Sequence, residues 1–162
     1  AAVKQRTNLL KEELKTATIQ VFPVHIGDES SIDRAKNLAT LMKKEEIGQP
    51  KVTEEKPGLE VEGSSNELRV VWDTAKALRE YLKENPPDAD YALYADYMIG
   101  RKKANPDKQV VGAVHFFVCN QEGDWVIVDF QNNHHSDFQA IDPKSREDCD
   151  RLVLRRLERH LK

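Results

Sequence analysis

Residues 110–131 have the sequence VVGAVHFFVCNQEGDWVIVDFQ, and this stretch decides the predicted fold. Val110–Cys119 and Asp124–Gln131 are rich in β-branched and aromatic residues, which is typical of strands. The connection Asn120–Gly123 is short and ends in glycine, so the two strands are predicted to form an antiparallel hairpin. A similar run, Tyr91–Ile99, precedes them and is separated from them by a polar segment, Gly100–Lys108, predicted to be a loop. The C-terminal strands therefore predict an antiparallel meander.

The rest of the chain combines strand and helix patterns. Thr18–Ile26 predicts a strand that is apolar on both faces, with Pro23 marking an edge or an irregularity. The Gly- and Pro-containing segment 48–63 predicts a loop with at most a short strand near Leu59–Val61. Three helix starts carry a capping-box pattern, a serine followed three residues later by an acid, before an apolar stripe of helical spacing. These pairs are Ser30/Asp33, Ser64/Glu67 and Ser145/Asp148.

Together these elements predict an α/β fold. The predicted order is β-α-(β)-α-β-β-β-α, with one mixed sheet, an antiparallel C-terminal meander and three main helices. Residues 1–16 are polar apart from a few leucines and are expected to form a loosely docked helical lead-in. Residues 17–162 are expected to form a single domain.

Composition excludes some classes of partner and leaves the location open. The 162 residues carry a formal net charge of −3, which argues against nucleic-acid binding because that binding depends on neutralising phosphates. No apolar run approaches the roughly 20 residues of a membrane span. No signal segment is visible, although the Ala-Ala start would suit a mature exported protein, and a lipid tether could lie outside this sequence.

The densest group of polar side chains follows the last predicted strand. Carboxylate and imidazole groups are ligands for divalent transition metals, and the neighbouring strand could add one more imidazole. Adjacent histidines on a strand point to opposite faces, however, which weakens the metal hypothesis. The alternatives are a turn whose side chains cap backbone groups, and a polar pocket for a small ligand or a partner's backbone. The candidate ligand-binding residues are Asp129, Gln131, Asn133, His134, His135, Asp137 and His115.

Three further features bear on the chemistry. Asp129 interrupts an apolar strand, so it is expected to be either a perturbed functional carboxylate or a strand-end acid bound by a loop or an arginine. Cys119 and Cys149 are expected to be buried core residues, with a disulfide as the alternative. Arginines recur every fourth residue from Arg151 to Arg159 on the last helix. They predict either a basic ridge for an anion or a solvated face with local ion pairs.

Several segments resemble a known class of domain. They are Ile19–Val24, Ala35–Ala39 on a helix, Asp90–Tyr94 and the hairpin Val114–Val128. Together they resemble bacterial envelope domains of the TolB amino-terminal type over roughly residues 18–130. The resemblance implies an exported domain, often tethered as a lipoprotein, that works by protein contacts and has no catalytic residues to carry over. The segment Phe130–Asp142 and the last helix have no clear counterpart in that pattern.

Two functional hypotheses follow. The first is a non-enzymatic envelope or secreted domain that binds a protein or a small ligand, without a cofactor, through the surface around Asp129–Asp137. The second is a metal-dependent hydrolase that uses Asp129, His134 or His135, and His115. They differ in whether these side chains converge on one point.

Overall fold

The computed structural model describes residues 12–102 and 105–161. In this part of the chain, helices cover both faces of one seven-stranded mixed sheet, which confirms the predicted α/β class. Residues 12–16 are also helical. The strands are β1 (Thr18–Val21), β2 (Val24–Ile26), β3 (Glu29–Ser31), β4 (Gln49–Val52), β5 (Tyr91–Lys102), β6 (Asn105–Asn120) and β7 (Trp125–Asn132). The helices are α1 (Ile32–Lys44), α2 (Glu67–Glu84), α3 (Ser136–Ile141) and α4 (Arg146–Leu161).

Strand β5 organises the sheet because it has partners along both edges. One edge pairs antiparallel with β6, and β6 pairs antiparallel with β7, as the predicted meander requires. The other edge pairs in parallel first with β1 and then with β2. The predicted irregularity at Pro23 separates these two strands, since proline cannot donate a ladder hydrogen bond. Beyond them, β4 lies parallel to β1 and β3 lies antiparallel to β2.

The two faces of the sheet bury different sets of residues. Helices α1 and α4 cover one face, where Tyr97, Phe116 and Leu152 belong to one apolar cluster. Helix α2 covers the other face, where Tyr94 and Phe117 pack with residues of the helix. Residues paired across neighbouring strands share a face, and successive residues alternate. The register therefore fixes the face on which each candidate side chain lies.

The structure corrects two local predictions and adds two elements. The short strand of segment 48–63 is β4 at Gln49–Val52, and Leu59–Val61 is not a strand. The predicted loop Gly100–Lys108 is largely strand, since β5 ends at Lys102 and β6 begins at Asn105. Strand β3 and helix α3 are additional elements. Polar composition obscured all four, because edge strands and short helices carry little apolar periodicity.

The helix caps follow the prediction at one of three sites. Ser145 Oγ accepts a hydrogen bond from the Asp148 backbone N–H at 3.2 Å, as a capping serine does. At α1 the cap is Ser31 rather than Ser30, and at α2 it is Asn66 rather than Ser64. Asn is as good a cap as Ser, so composition alone could not choose between neighbouring candidates.

The lead-in and the cysteines contribute to the core. Residues 1–11 lie outside the described residues, but Leu14 is buried among core residues. Gly48 allows its backbone to lie close to the backbone of Leu14, because a Cβ at position 48 would lie 2.8 Å from the Leu14 carbonyl oxygen.

Cys119 and Cys149 are buried free thiols in different apolar clusters, so the disulfide alternative is wrong. Burial raises the pKa of each thiol to about 12.

Candidate functional site

The sequence-predicted site residues do not gather at one point. Asp129 pairs with Phe116 in the sheet, which places it on the face covered by α1 and α4. His115 pairs with Phe130, one register position away, and therefore lies on the opposite face under α2. The sheet itself separates these two side chains. Because successive side chains along β6 and β7 point to opposite faces of the sheet, Asp129 and His115 cannot contribute to one site.

Asp129 and Asp137 belong to one ion-pair network with helix α4. Arg156 bridges them, donating from Nη2 to Asp129 Oδ1 at 2.9 Å and from Nη1 to Asp137 Oδ2 at 2.7 Å. Asp137, 2 % exposed, also accepts from Nε of Arg155 and of Arg159, each at 2.9 Å. The structure thus matches the interpretation of Asp129 as an acid bound by an arginine.

The pKa values of both carboxyl groups reflect this network. Burial alone would raise the pKa of Asp129, but hydrogen bonds from His160 and Arg156 hold it below the ordinary value. Burial opposes ionisation of Asp137 as well, yet Arg159 and Arg156 lower its pKa to about 2. Both groups are therefore ionised at neutral pH, with their oxygens occupied by guanidinium and imidazole donors. This arrangement stabilises the fold and leaves little of either carboxylate for a ligand.

The end of β7 and the turn that follows it contain the next four candidates. Asn133 and His134 are exposed, and His134 N–H donates to Asn132 Oδ1 at 3.0 Å. His135 Nδ1 accepts from the Asn132 N–H at 3.0 Å, and its ring packs edge-on against Phe130. Gln131 is buried, and its side-chain amide donates to the Phe130 carbonyl. The side chains here mainly satisfy local backbone groups.

No metal cluster is found in the described part of the chain. Within 12–102 and 105–161, no three or more His, Cys, Asp or Glu side chains lie together so that they could hold an ion. Asp129 contacts His160 of α4, with Nε2 and Oδ1 2.9 Å apart, rather than His134 or His135. The metal-dependent hydrolase stays a prediction.

A different group of polar residues forms a row across the sheet under α2. His25 of β2 pairs with Asp96 of β5, and Asp96 pairs with His115 of β6, so the three side chains share one face. His25 Nδ1 donates to Asp96 Oδ1 at 3.0 Å. This hydrogen bond raises the pKa of His25 above its ordinary value. Burial lowers that pKa, but its effect is the smaller of the two. Asp96 thereby fixes the orientation of a ring whose side chain is 41 % exposed.

His115 ends this row in a fully buried position. Its Nε2 donates to Glu67 Oε1 at 3.1 Å, and Asn132 donates to the other Glu67 oxygen at 2.8 Å. With the proton on Nε2, the neutral ring has Nδ1 as an acceptor. This buried atom has no partner among the residues of 12–102 and 105–161.

The exposed end of the row lies in a groove of about 780 Å³. Its floor is β5 and its walls come from α2, the β2–β3 turn and the irregular segment after β4. Apolar side chains line much of it, together with the acids Asp28, Glu62 and Asp96. The hairpin turn that carries Asp28 depends on Gly27, which has φ +60. The apolar lining residues are Leu59, Val61, Val70, Met98, Ile99 and Val110.

Sequence reasoning missed this groove for a physical reason. Alternation within β5 indicates that Tyr94 and Asp96 share a face, and the structure places both in the groove. Nothing local indicates that His25, 71 positions earlier, pairs with Asp96, because parallel pairing is a long-range property. The available signal was a single polar residue, His25, inside an otherwise apolar strand.

The comparisons with known proteins do not supply a function. In the described part of the chain, no helix has the length and apolarity needed to cross a membrane. No model of a known protein family, no curated protein and no solved structure matches the chain. The resemblance to TolB-type domains therefore stays a prediction.

Proposed function

We propose that this chain is a non-enzymatic binding domain whose site is the groove over β5. One observation carries the proposal: the half-exposed His25 ring, oriented by Asp96, lies in a mostly apolar groove. Small-molecule sites commonly combine apolar walls with a few placed polar groups, in volumes of roughly 300–1,000 Å³. The volume of about 780 Å³ lies within that range.

The groove replaces the Asp129–Asp137 surface as the preferred contact. The carboxylates of that surface are occupied by arginines, whereas the His25 ring has one partner, Asp96, among the residues described. The other ring nitrogen, Nε2, is thus available to a ligand. An envelope location, with a lipid tether, belongs to the same proposal and is supported by the TolB-type segments. Its direct test is fractionation of cells that express the full-length protein.

A screen of small organic compounds tests the site. We expect compounds that bind to shift the backbone amide NMR signals of groove residues such as Met98 and Gly112. Val110 is 37 % exposed at the groove, so Val110→Trp can narrow the groove without disturbing the core. This variant should weaken binding at least about tenfold, equivalent to 1.4 kcal/mol.

Leu68→Trp is the matched control. Leu68 is 50 % exposed on α2 and does not line the groove, so the same large side chain there should leave binding unchanged. Hits that shift only residues outside the groove, or a Val110→Trp variant that binds like the wild type, would contradict the proposal. A screen without any groove-binding compound would contradict it too. Binding of a protein to another surface would favour the protein-partner form of the hypothesis.

A further inference from the structure

The charges in the groove are unevenly distributed. Among the side chains that the structure describes, three acids line it, Asp28, Glu62 and Asp96, together with one basic group, His25. Asp28 and Glu62 are exposed, and neither forms an ion pair with a residue whose side chain is described, that is, within 12–100 and 109–161. The described lining has a net charge of three negative units when His25 is neutral and of two negative units when His25 is protonated. The charges of the described side chains therefore favour a cation in the groove at either charge state of His25.

Asp96 is the acid best placed to anchor such a charge. Its side chain is only 10 % exposed, while the two other acids are on the rim. One of its oxygens, Oδ1, accepts from His25, and Oδ2 has no donor among the side chains that the structure describes. An ion pair is stronger where apolar walls exclude water, because the local dielectric constant is lower. Val70, Met98 and Ile99 provide such walls.

His115, which lies on the same face of the sheet as Asp96, has an unpartnered nitrogen. Nδ1 is buried, accepts hydrogen bonds in the neutral ring, and finds no donor in the described part of the chain. A buried acceptor without a partner costs about 1–3 kcal/mol, so a hydrogen-bond donor is favoured beside it. His115 is the cross-strand neighbour of Asp96 on the same face, but it is not among the residues that line the groove, so its nitrogen is not assigned to the ligand.

We propose that the groove binds an organic cation, an ammonium or guanidinium group on an apolar body, with Asp96 as the anchoring carboxylate. The inference rests on the proposed function and specifies its ligand. The apolar body contacts the walls, while the cation lies between Asp96 and the rim acids. Tyr94, whose pKa is raised by burial, stays neutral beside Asp96 and adds no further charge.

Three probes of one shape test the inference: phenethylamine, 2-phenylethanol and 3-phenylpropanoate. Each is titrated at pH 8 into the uniformly ¹⁵N-labelled chain, and Kd is taken from the shifts of groove amides. We expect the amine to bind at least about tenfold more tightly than the alcohol, and the carboxylate to bind most weakly. Added salt should weaken binding of the amine and leave the alcohol unchanged.

Variants of the groove acids then show which carboxylate attracts the amine. Asp96→Asn should remove most of the preference for the amine, and Glu62→Gln, at an exposed position, should reduce it without a risk to folding. Asp142→Asn is the control, since that side chain is 71 % exposed and does not line the groove. Its left-handed backbone conformation, φ 49, also tolerates Asn.

The outcomes separate the two proposals. If the alcohol or the carboxylate binds in the groove as tightly as the amine, the ligand is not a cation, but the groove remains a binding site. If the amine shifts no groove residue, the inference fails. The proposed function fails with it only if the compound screen also leaves the groove unshifted.

Discussion

Replacing Arg156 should show how strongly the network on the α4 side stabilises the fold. Arg156→Met keeps the apolar stem and removes the guanidinium that bridges Asp129 and Asp137, which are 5 % and 2 % exposed. Removing one partner of a buried ion pair typically costs about 3–5 kcal/mol. Asp137 keeps Arg155 and Arg159, so we expect about 3 kcal/mol, the lower end of that range.

Urea denaturation of matched variants measures this loss. At a slope of about 2 kcal/mol per molar urea, a loss of 3 kcal/mol lowers the midpoint by roughly 1.5 M. Arg151→Met is the control, because the Arg151 side chain is 63 % exposed and pairs locally with Asp148. Its cost should be no more than about 1 kcal/mol. Equal midpoints for the two variants would refute the view that buried carboxylates make Arg156 important.

Three further predictions concern other titratable groups. The pKa of Asp137 is about 2, below the ordinary 3.8. Its stabilising contribution is therefore present above pH 4 and should be lost as the pH falls towards 2. The free energy of unfolding, measured by urea denaturation at decreasing pH, checks this. The pKa of His25 is raised, mainly by its hydrogen bond to Asp96, so His25→Gln should lose more stability at pH 6 than at pH 9; equal losses would contradict the pairing. Tyr97 donates to the buried Asp150 at 2.6 Å, so Tyr97→Phe should lower the unfolding free energy by about 1.5–3 kcal/mol; thermal or urea unfolding measures the change, and a neutral effect would contradict that hydrogen bond.

Much of the fold could be predicted because the sheet carries strong local patterns. The hairpin around Asn120–Gly123 and the strand interrupted at Pro23 follow from β-branched residues and turn chemistry. The edge strand Gln49–Val52 could not be predicted in this way, since it contains Pro50 and only one aliphatic residue. Its partner β1 supplies the hydrogen bonds that its own sequence does not suggest.

The candidate site was harder to predict than the fold. The sequence marks Asp129 as unusual, but whether its role is functional or structural depends on Arg156, 27 positions away on another element. The sequence also suggests His115 as a partner of Asp129, although β-strand alternation puts the two on opposite faces once the register is known. The His25–Asp96 pair depends entirely on the parallel pairing of β2 and β5. Residue types indicated chemistry, but register decided which groups meet.

The most direct test of the central claim is a crystal structure of the protein soaked with phenethylamine. We predict density for the amine in the groove over β5, with its nitrogen within about 3 Å of an Asp96 oxygen and its ring against Met98 and Val70. An amine bound only at another surface, or a groove filled by the protein's own side chains, would contradict the account.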